Sequence, residues 1–244
     1  MAVAYSLDGV LIATGSSDHS LKIWDALSGT LLHSLNDLGS DVKRVVFSLD
    51  GSHLAACSDV SVTVWDPREG ARIATLPGHN SAIGCMAFSP DGDRIVTGSE
   101  DSSARVWSAT SGEVLAELHE HTSSVRSAAF SPDGSEVATA SQDGTVVTCD
   151  SWTGERRFML GNDVDTAVEA IAYSPKNDPI ASGAADGRVR VWNAKSGTFF
   201  AEFQGHEGEV KNIIFTPNGL DLLSHADDGT VRCWSILDAL RLAL

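Results

Sequence analysis

The chain is poor in bases, prolines and aromatics. Lys and Arg together number 17 against 33 Asp and Glu, so the formal charge is −16 over 244 residues. An acidic surface of this kind repels phosphate, which argues against duplex DNA or RNA as a direct partner and against an anionic membrane face. Proline occurs 7 times and aromatics make up 7%, which with 42% hydrophobic residues excludes collagen-like and disordered classes. Only four cysteines are present, Cys57, Cys85, Cys149 and Cys233, and none forms a CxxC pair. Zinc-knuckle and thioredoxin-type motifs are thereby excluded, and the expectation is four buried thiols in a reducing compartment. No Asn-x-Ser/Thr site occurs, and apolar runs such as Val10-Leu11-Ile12-Ala13 are far too short to span a bilayer. The N-terminal stretch lacks the basic region and apolar core of a signal peptide. An intracellular protein, cytoplasmic or nuclear and without membrane insertion, is the expectation.

What the chain does have is periodicity. Trp24, Trp65, Trp107, Trp192 and Trp234 fall in step at 41, 42, 85 and 42 residues, with Cys149 inside the double step. A second marker keeps the same phase: Ser6-Leu7-Asp8-Gly9, Ser48-Leu49-Asp50-Gly51, Ser89-Pro90-Asp91-Gly92, Ser131-Pro132-Asp133-Gly134, Ser174-Pro175-Lys176-Asn177 and Thr216-Pro217-Asn218-Gly219. Two markers in register define six units, approximately 1–35, 36–76, 77–118, 119–160, 161–203 and 204–244, in a single domain.

The third unit shows the local logic. Apolar runs at Ile83–Phe88, Arg94–Ser99, Ala104–Trp107 and Val114–Leu118 are separated by turn residues. Pro presets φ and Gly supplies a positive φ in such turns, so the unit reads as a four-stranded antiparallel meander. One meander cannot bury both of its faces. Six can pack face to face about an axis, as a β-propeller, and a period near 42 is too long for the coils of a solenoid. The expected fold is therefore all-β, with six four-stranded antiparallel blades that either stand as a unit or form an incomplete portion of a seven-bladed ring. The segment Ile236–Leu244 is expected as an outer strand of the sixth blade, the start of a helix or a seventh unit.

These units resemble WD repeats. Gly78-His79 and Gly205-His206 precede apolar strands, Phe-Ser-Pro-Asp-Gly closes them, and Trp24-Asp25 and Trp65-Asp66 end later ones. The resemblance covers essentially the whole chain. It implies a buried polar chain in each blade, from Asp through His and Ser/Thr to Trp. Spacing supports the same set: an Asp stands six residues before each strand-ending Trp or Cys, and a His stands 22 before that Asp in three units. The expected network residues are His79, Thr97, Asp101 and Trp107; His206, Ser224, Asp228 and Trp234; and His121, Thr139 and Asp143, where Cys149 replaces Trp. The second unit has Ala55 four residues before Asp59 instead of a hydroxyl, in a segment one residue short.

An Asp, a His and a hydroxyl also suggest a hydrolase triad, but this set repeats with the fold and its hydroxyl is committed to an indole. His119-Glu120-His121 has strand spacing for two metal ligands, yet His121 belongs to the blade network. No catalytic residue, metal or cofactor is therefore assigned. The leading expectation is a non-catalytic protein-interaction scaffold or adaptor. The alternatives are a regulatory or sensor propeller of a larger signalling protein, such as an NTPase, and, less favoured, a propeller enzyme.

The resemblance places partner contacts just before and early in each inner strand, and just before the repeated Asp. Here those positions include Asp41, Lys43, Glu100, Arg126, Gln142, Glu169, Glu209, Lys211 and Asp227. Carboxylates outnumber bases, so the expected partners are other proteins, through basic or polar peptide segments. Trp152 stands in a turn where other units carry Arg68 or Lys195. It is expected either as an anchor on the opposite face or folded back near Cys149.

Overall fold

The computed structural model describes residues 2–36, 38–161, 166–176 and 178–237. The period of the sequence becomes six antiparallel sheets. Blade one holds β1 (Ala2–Tyr5), β2 (Leu11–Gly15), β3 (Leu21–Asp25) and β4 (Leu31–Leu35). Blade two holds β5 (Val42–Phe47), β6 (Leu54–Ser58), β7 (Ser61–Asp66) and β8 (Ala71–Leu76). Blade three holds β9 (Ile83–Phe88), β10 (Arg94–Ser99), β11 (Ala104–Ser108) and β12 (Val114–Leu118). Blade four holds β13 (Val125–Phe130), β14 (Glu136–Ser141), β15 (Val146–Asp150) and β16 (Arg156–Leu160). Blade five holds β17 (Val168–Tyr173), β18 (Ile180–Ala184), β19 (Val189–Trp192) and β20 (Phe199–Phe203). Blade six holds β21 (Val210–Phe215), β22 (Asp221–Ala226) and β23 (Val231–Ser235).

Each sheet runs in sequence order, with four strands in five blades and three described strands in the sixth. Strand β17 is irregular at its start. A bulge lets Val168 pair with Ala184 while Ala170 pairs with Gly183. Ile236 is buried against blades five and six, whereas residues 238–244, which carry most of the expectation for the tail, lie outside the described residues, as does Asn177 of the fifth turn marker.

The core consists of five similar layers between successive blades. The outgoing face of blade one (Ala13, Leu21 and Ile23) meets the incoming face of blade two (Val42, Val45, Phe47, Leu54 and Trp65). The pattern recurs down to blade five, whose Ala181, Val189 and Val191 meet Val210, Ile213 and Leu222 of blade six. Inner strands lie against one another, β1 on β5, β5 on β9, and so on to β17 on β21. Close approach explains two of the strand glycines. A Cβ on Gly98 would sit 2.5 Å from Val125, and one on Gly183 would sit 2.5 Å from Val210. Blades approach so closely because a small residue on one face receives a β-branched residue from the next.

Of the four thiols expected to be buried, Cys57, Cys85 and Cys149 are buried but Cys233 is exposed. Burial pushes Cys57 up to about 11 and both Cys85 and Cys149 up to about 12, so these three behave as small apolar groups. Cys233 is open because it lies on the outgoing face of blade six, which no described blade covers.

Candidate functional site

Two kinds of side-chain constellation arise from the repeat, one inside the blades and one on the face where the inner strands begin. Inside blade three, the Trp107 indole N–H donates to Thr97 Oγ1 at 2.8 Å. Thr97 Oγ1 lies 2.8 Å from His79 Nε2, and His79 Nδ1 lies 2.9 Å from Asp101 Oδ2. One proton order satisfies the chain: the threonine hydroxyl donates to Nε2 and the Nδ1–H donates to the carboxylate. Asp101 also accepts from the Asn80 N–H at 2.9 Å and from the Ser103 hydroxyl at 2.6 Å. Burial disfavours the imidazolium and holds His79 below its ordinary value. Burial alone would raise Asp101, but the hydrogen bonds from Ser103, Asn80 and His79 outweigh it and hold the carboxyl well below the usual range. A neutral histidine and an ionised aspartate are the result.

Blade six repeats this with Trp234 donating to Ser224 at 2.7 Å, Ser224 at 2.7 Å from His206 Nε2, and His206 Nδ1 at 3.2 Å from Asp228. Blade four joins His121 to Thr139 at 2.8 Å and to Asp143 at 3.2 Å. With Cys149 in place of the indole, Thr139 Oγ1 lies 3.4 Å from the Val147 carbonyl instead. His119, the second histidine of the candidate metal pair, lies beside Glu117 at 3.4 Å. Every hydroxyl of these triads is held between a histidine and an indole or a backbone carbonyl, so none is aimed outward as a nucleophile would be.

Blades one and five keep an indole-to-hydroxyl bond, Trp24 to Thr14 at 2.9 Å and Trp192 to Ser182 at 3.3 Å, while blade two and the Asp of blade five take other partners. In blade two, the register pairs Leu54 with Trp65, which makes Ala56, not Ala55, the counterpart of Thr97. Its missing hydroxyl comes from Thr63, on the tryptophan's own strand, which accepts the Trp65 N–H at 3.0 Å. Asp59, with no histidine to hold, turns instead to Lys43 at 3.0 Å. In blade five, Asp186 pairs with Arg190 at 2.9 Å and Arg188 at 3.6 Å. A hydroxyl or base two residues before the strand-ending Trp does not mark these replacements by itself, since Arg105 and Arg232 hold the same position in blades three and six.

The second constellation is the face bearing the expected partner positions. Backbone bonds tie each turn to the approach of its inner strand: Glu100 N to Ala82 O, Gln142 N to Ser124 O, Ala185 N to Ala167 O and Asp227 N to Glu209 O, all between 2.9 and 3.1 Å. That recurrence puts the residue before each repeated Asp beside the start of its own inner strand. On this face Lys43 bonds Asp59, Arg126 lies 3.9 Å from Glu169, and Lys211 pairs with Glu209. The Gln142 amide oxygen, when turned to the guanidinium, is 3.1 Å from Arg126 Nε. Asp41 is 3.5 Å from His19. Hydrogen bonding to Glu209 raises Lys211, with Glu169 and Asp227 adding to the effect, and bonding to Asp59 raises Lys43. The three bases are thus matched by carboxylates, and the exposed Asp41, Glu100 and Asp227 remain in excess.

Trp152 lies in neither constellation. Its ring stacks on the buried Arg94 guanidinium at 4.1 Å, rather than over Cys149, and the residue remains 57% exposed. Arg94 also bonds Ser151 Oγ at 2.7 Å and the Gly134 carbonyl at 2.9 Å, which fastens blade three to blade four.

Comparison with known proteins agrees with this geometry. The family model described as "WD domain, G-beta repeat" matches residues 1–25, 29–66, 70–108, 112–149, 156–193 and 197–235. The periodic tryptophan protein 2 homolog of Dictyostelium discoideum is 33% identical over 66 residues, 27% of this chain and 7% of that protein. WD repeat domain-containing protein 83 of Rattus norvegicus is 42% identical over 53 residues, 22% of this chain and 17% of that protein. The chain thus spans only a small part of the curated relatives it matches. The crystal structure of the computationally designed Ika8 protein aligns with a TM-score of 0.86 at 31% identity, covering 97% of this chain and 70% of that one.

Proposed function

This chain belongs to the WD domain, G-beta repeat family, and we propose that it is a non-catalytic docking scaffold whose inner-strand face binds basic or polar peptide segments of other proteins. One observation carries the reading. On a face fixed by recurring backbone bonds, the bases Lys43, Arg126 and Lys211 each lie against a carboxylate, while Asp41, Glu100 and Asp227 stand exposed in excess. Rigid loops on a packed scaffold need little ordering when a partner arrives, and a surplus of carboxylates attracts and orients a cationic segment. No helix among the described residues is long and apolar enough to cross a membrane.

The test uses a fluorescein-labelled octapeptide of alternating Lys and Ser, titrated with the protein in low salt. Charge reversal at Glu100 and Asp227 together should weaken binding by about tenfold or more, and raising the salt should weaken it for the parent protein. Unchanged affinity in the double variant would refute the assignment. A second reading, a regulatory propeller within a larger signalling protein, draws on the small shares, 7% and 17%, that the matched segments occupy in the relatives. Units of this type operate there inside longer chains.

A further inference from the structure

Blades three, four and six each hold a histidine ring between the hydroxyl of their second strand and the repeated Asp. The fifth unit, residues 161–203, contains no histidine. Strand register makes Ser182 the counterpart of Thr97, since Ser182 pairs with Arg190 as Thr97 pairs with Arg105, each base standing two residues before its Trp. Gly161 is the counterpart of Gly78 and Gly205. A Cβ on Gly161 would meet the Trp192 ring at 3.3 Å, as one on Gly78 would meet Trp107 at 3.4 Å and one on Gly205 would meet Trp234 at 3.2 Å. In the sequence Gly78 and Gly205 are followed by His79 and His206, whereas Gly161 is followed by Asn162. The rings of His79 and His206 stand edge-on to their indoles, with centroids 6.2 and 6.0 Å apart.

Beside Trp192, blade five has a cavity of about 500 Å³. Its apolar walls include Val146 and Leu160 of blade four and Val168 and Trp192 of blade five, and its polar side chains are Ser182 and Arg190. Ser182 is 3% exposed. Its oxygen accepts the Trp192 N–H at 3.3 Å, but its own hydroxyl proton meets no acceptor among the described residues. The corresponding oxygens of Thr97, Thr139 and Ser224 lie 2.7–2.8 Å from a histidine Nε2. Arg190 brings no free charge, because its guanidinium is held by Asp186 at 2.9 Å and by Glu202 at 3.0 Å.

We propose that this cavity is a binding site for a neutral, flat heteroaromatic molecule, whose ring nitrogen accepts the Ser182 hydroxyl proton and whose carbon skeleton lies against Trp192 and the aliphatic walls. Three constraints set that class. The unused group on Ser182 is a donor, so the ligand presents an acceptor. The walls are apolar and the guanidinium is already paired, so an ion would lose its hydration without gaining a partner. An imidazole ring answers the same hydroxyl in three other blades, which fixes a planar ring with an acceptor nitrogen as the complementary shape, and the volume admits a fused bicycle. The site lies between blades four and five and uses none of the residues assigned to peptide docking.

The test titrates the 244-residue protein with benzimidazole and with indole at pH 8 and follows the tryptophan indole N–H resonances by NMR. The two probes share a bicyclic shape, and only benzimidazole has an acceptor nitrogen. Benzimidazole should shift the Trp192 resonance and bind about tenfold more tightly than indole. Ser182→Ala should erase that preference, and Ser182→Thr, which installs the hydroxyl that blades three and four carry, should keep it. Val146→Phe leaves Ser182 intact, fills the cavity from blade four and should abolish binding of both probes. The proposal is overturned if neither probe shifts Trp192, if Trp107 and Trp234 shift as much as Trp192, if Ser182→Ala retains the preference, or if Val146→Phe binds as the parent does.

Discussion

Blades two and three share a fold, a length within one residue and a buried tryptophan, yet hold that tryptophan by different means. In blade three Trp107 is the end of a chain that runs through Thr97 and His79 to Asp101, across two strands, the turn between them and the approach to the blade. In blade two Trp65 is held by its strand neighbour Thr63, and Asp59 leaves the interior for Lys43. The buried indole N–H must be satisfied in both, because an orphaned donor costs on the order of 1–3 kcal/mol. What the local hydroxyl cannot do is tie the turn and the incoming segment to the sheet. The histidine therefore joins distant pieces of one blade, and its loss releases a carboxylate to the surface.

The comparison is sharpened most by removing that joint. His79→Leu should cost about 3 kcal/mol, since it leaves Thr97 and Asp101 without their central partner, and exchange should accelerate throughout β10 and β11. No loss in urea melting would mean that the chain through His79 is not a support. Next in size, Thr97→Val should cost about 2 kcal/mol by orphaning both an indole and an imidazole, against about 1 kcal/mol for Thr63→Val, which orphans an indole alone. Equal losses would remove the distinction between the two blades.

Mild acid acts on blades three and four through buried histidines that the polar chain of blade two lacks. The native state holds His79 and His121 below their ordinary value by burial, so the unfolded chain binds more protons at mildly acid pH. Stability from this source is complete above about pH 6.5 and declines as pH falls through that value. Asp101 and Asp143, also held low, extend the decline below about pH 4. Urea midpoints measured from pH 7.5 to 5 should fall, and His79→Leu should flatten the part due to His79. A midpoint that rises on acidification would contradict the proton order drawn here. The smallest effect is expected at Asp59→Asn, which should change stability by less than about 0.5 kcal/mol because an exposed ion pair contributes little. A larger loss would show that Asp59 retains an interior role.

Six units, strand polarity and the members of three polar chains were legible because each rests on local chemistry repeated in phase. The Ser-x-Asp-Gly turns need Gly at positive φ, as at Gly92 with φ of 78°, and the indoles mark one strand of each meander. The replacements were less legible. Thr63 and Arg190 are unremarkable in sequence and become partners only because strand register puts them next to a group that would otherwise be unsatisfied. Trp152 stands out among the corresponding turns, but its stack on Arg94 joins two blades and is legible in neither unit alone.

The sequence by itself determined the repeat, the meander and the acidic balance, since turn residues, alternation and charge act within a few residues of one another. The exposure of Cys233 and of Val3 and Tyr5 was decided by the tertiary structure. These depend on which face meets which neighbour, and a one-dimensional period assigns the same environment to every unit, including those at the flanks where no neighbour has been described.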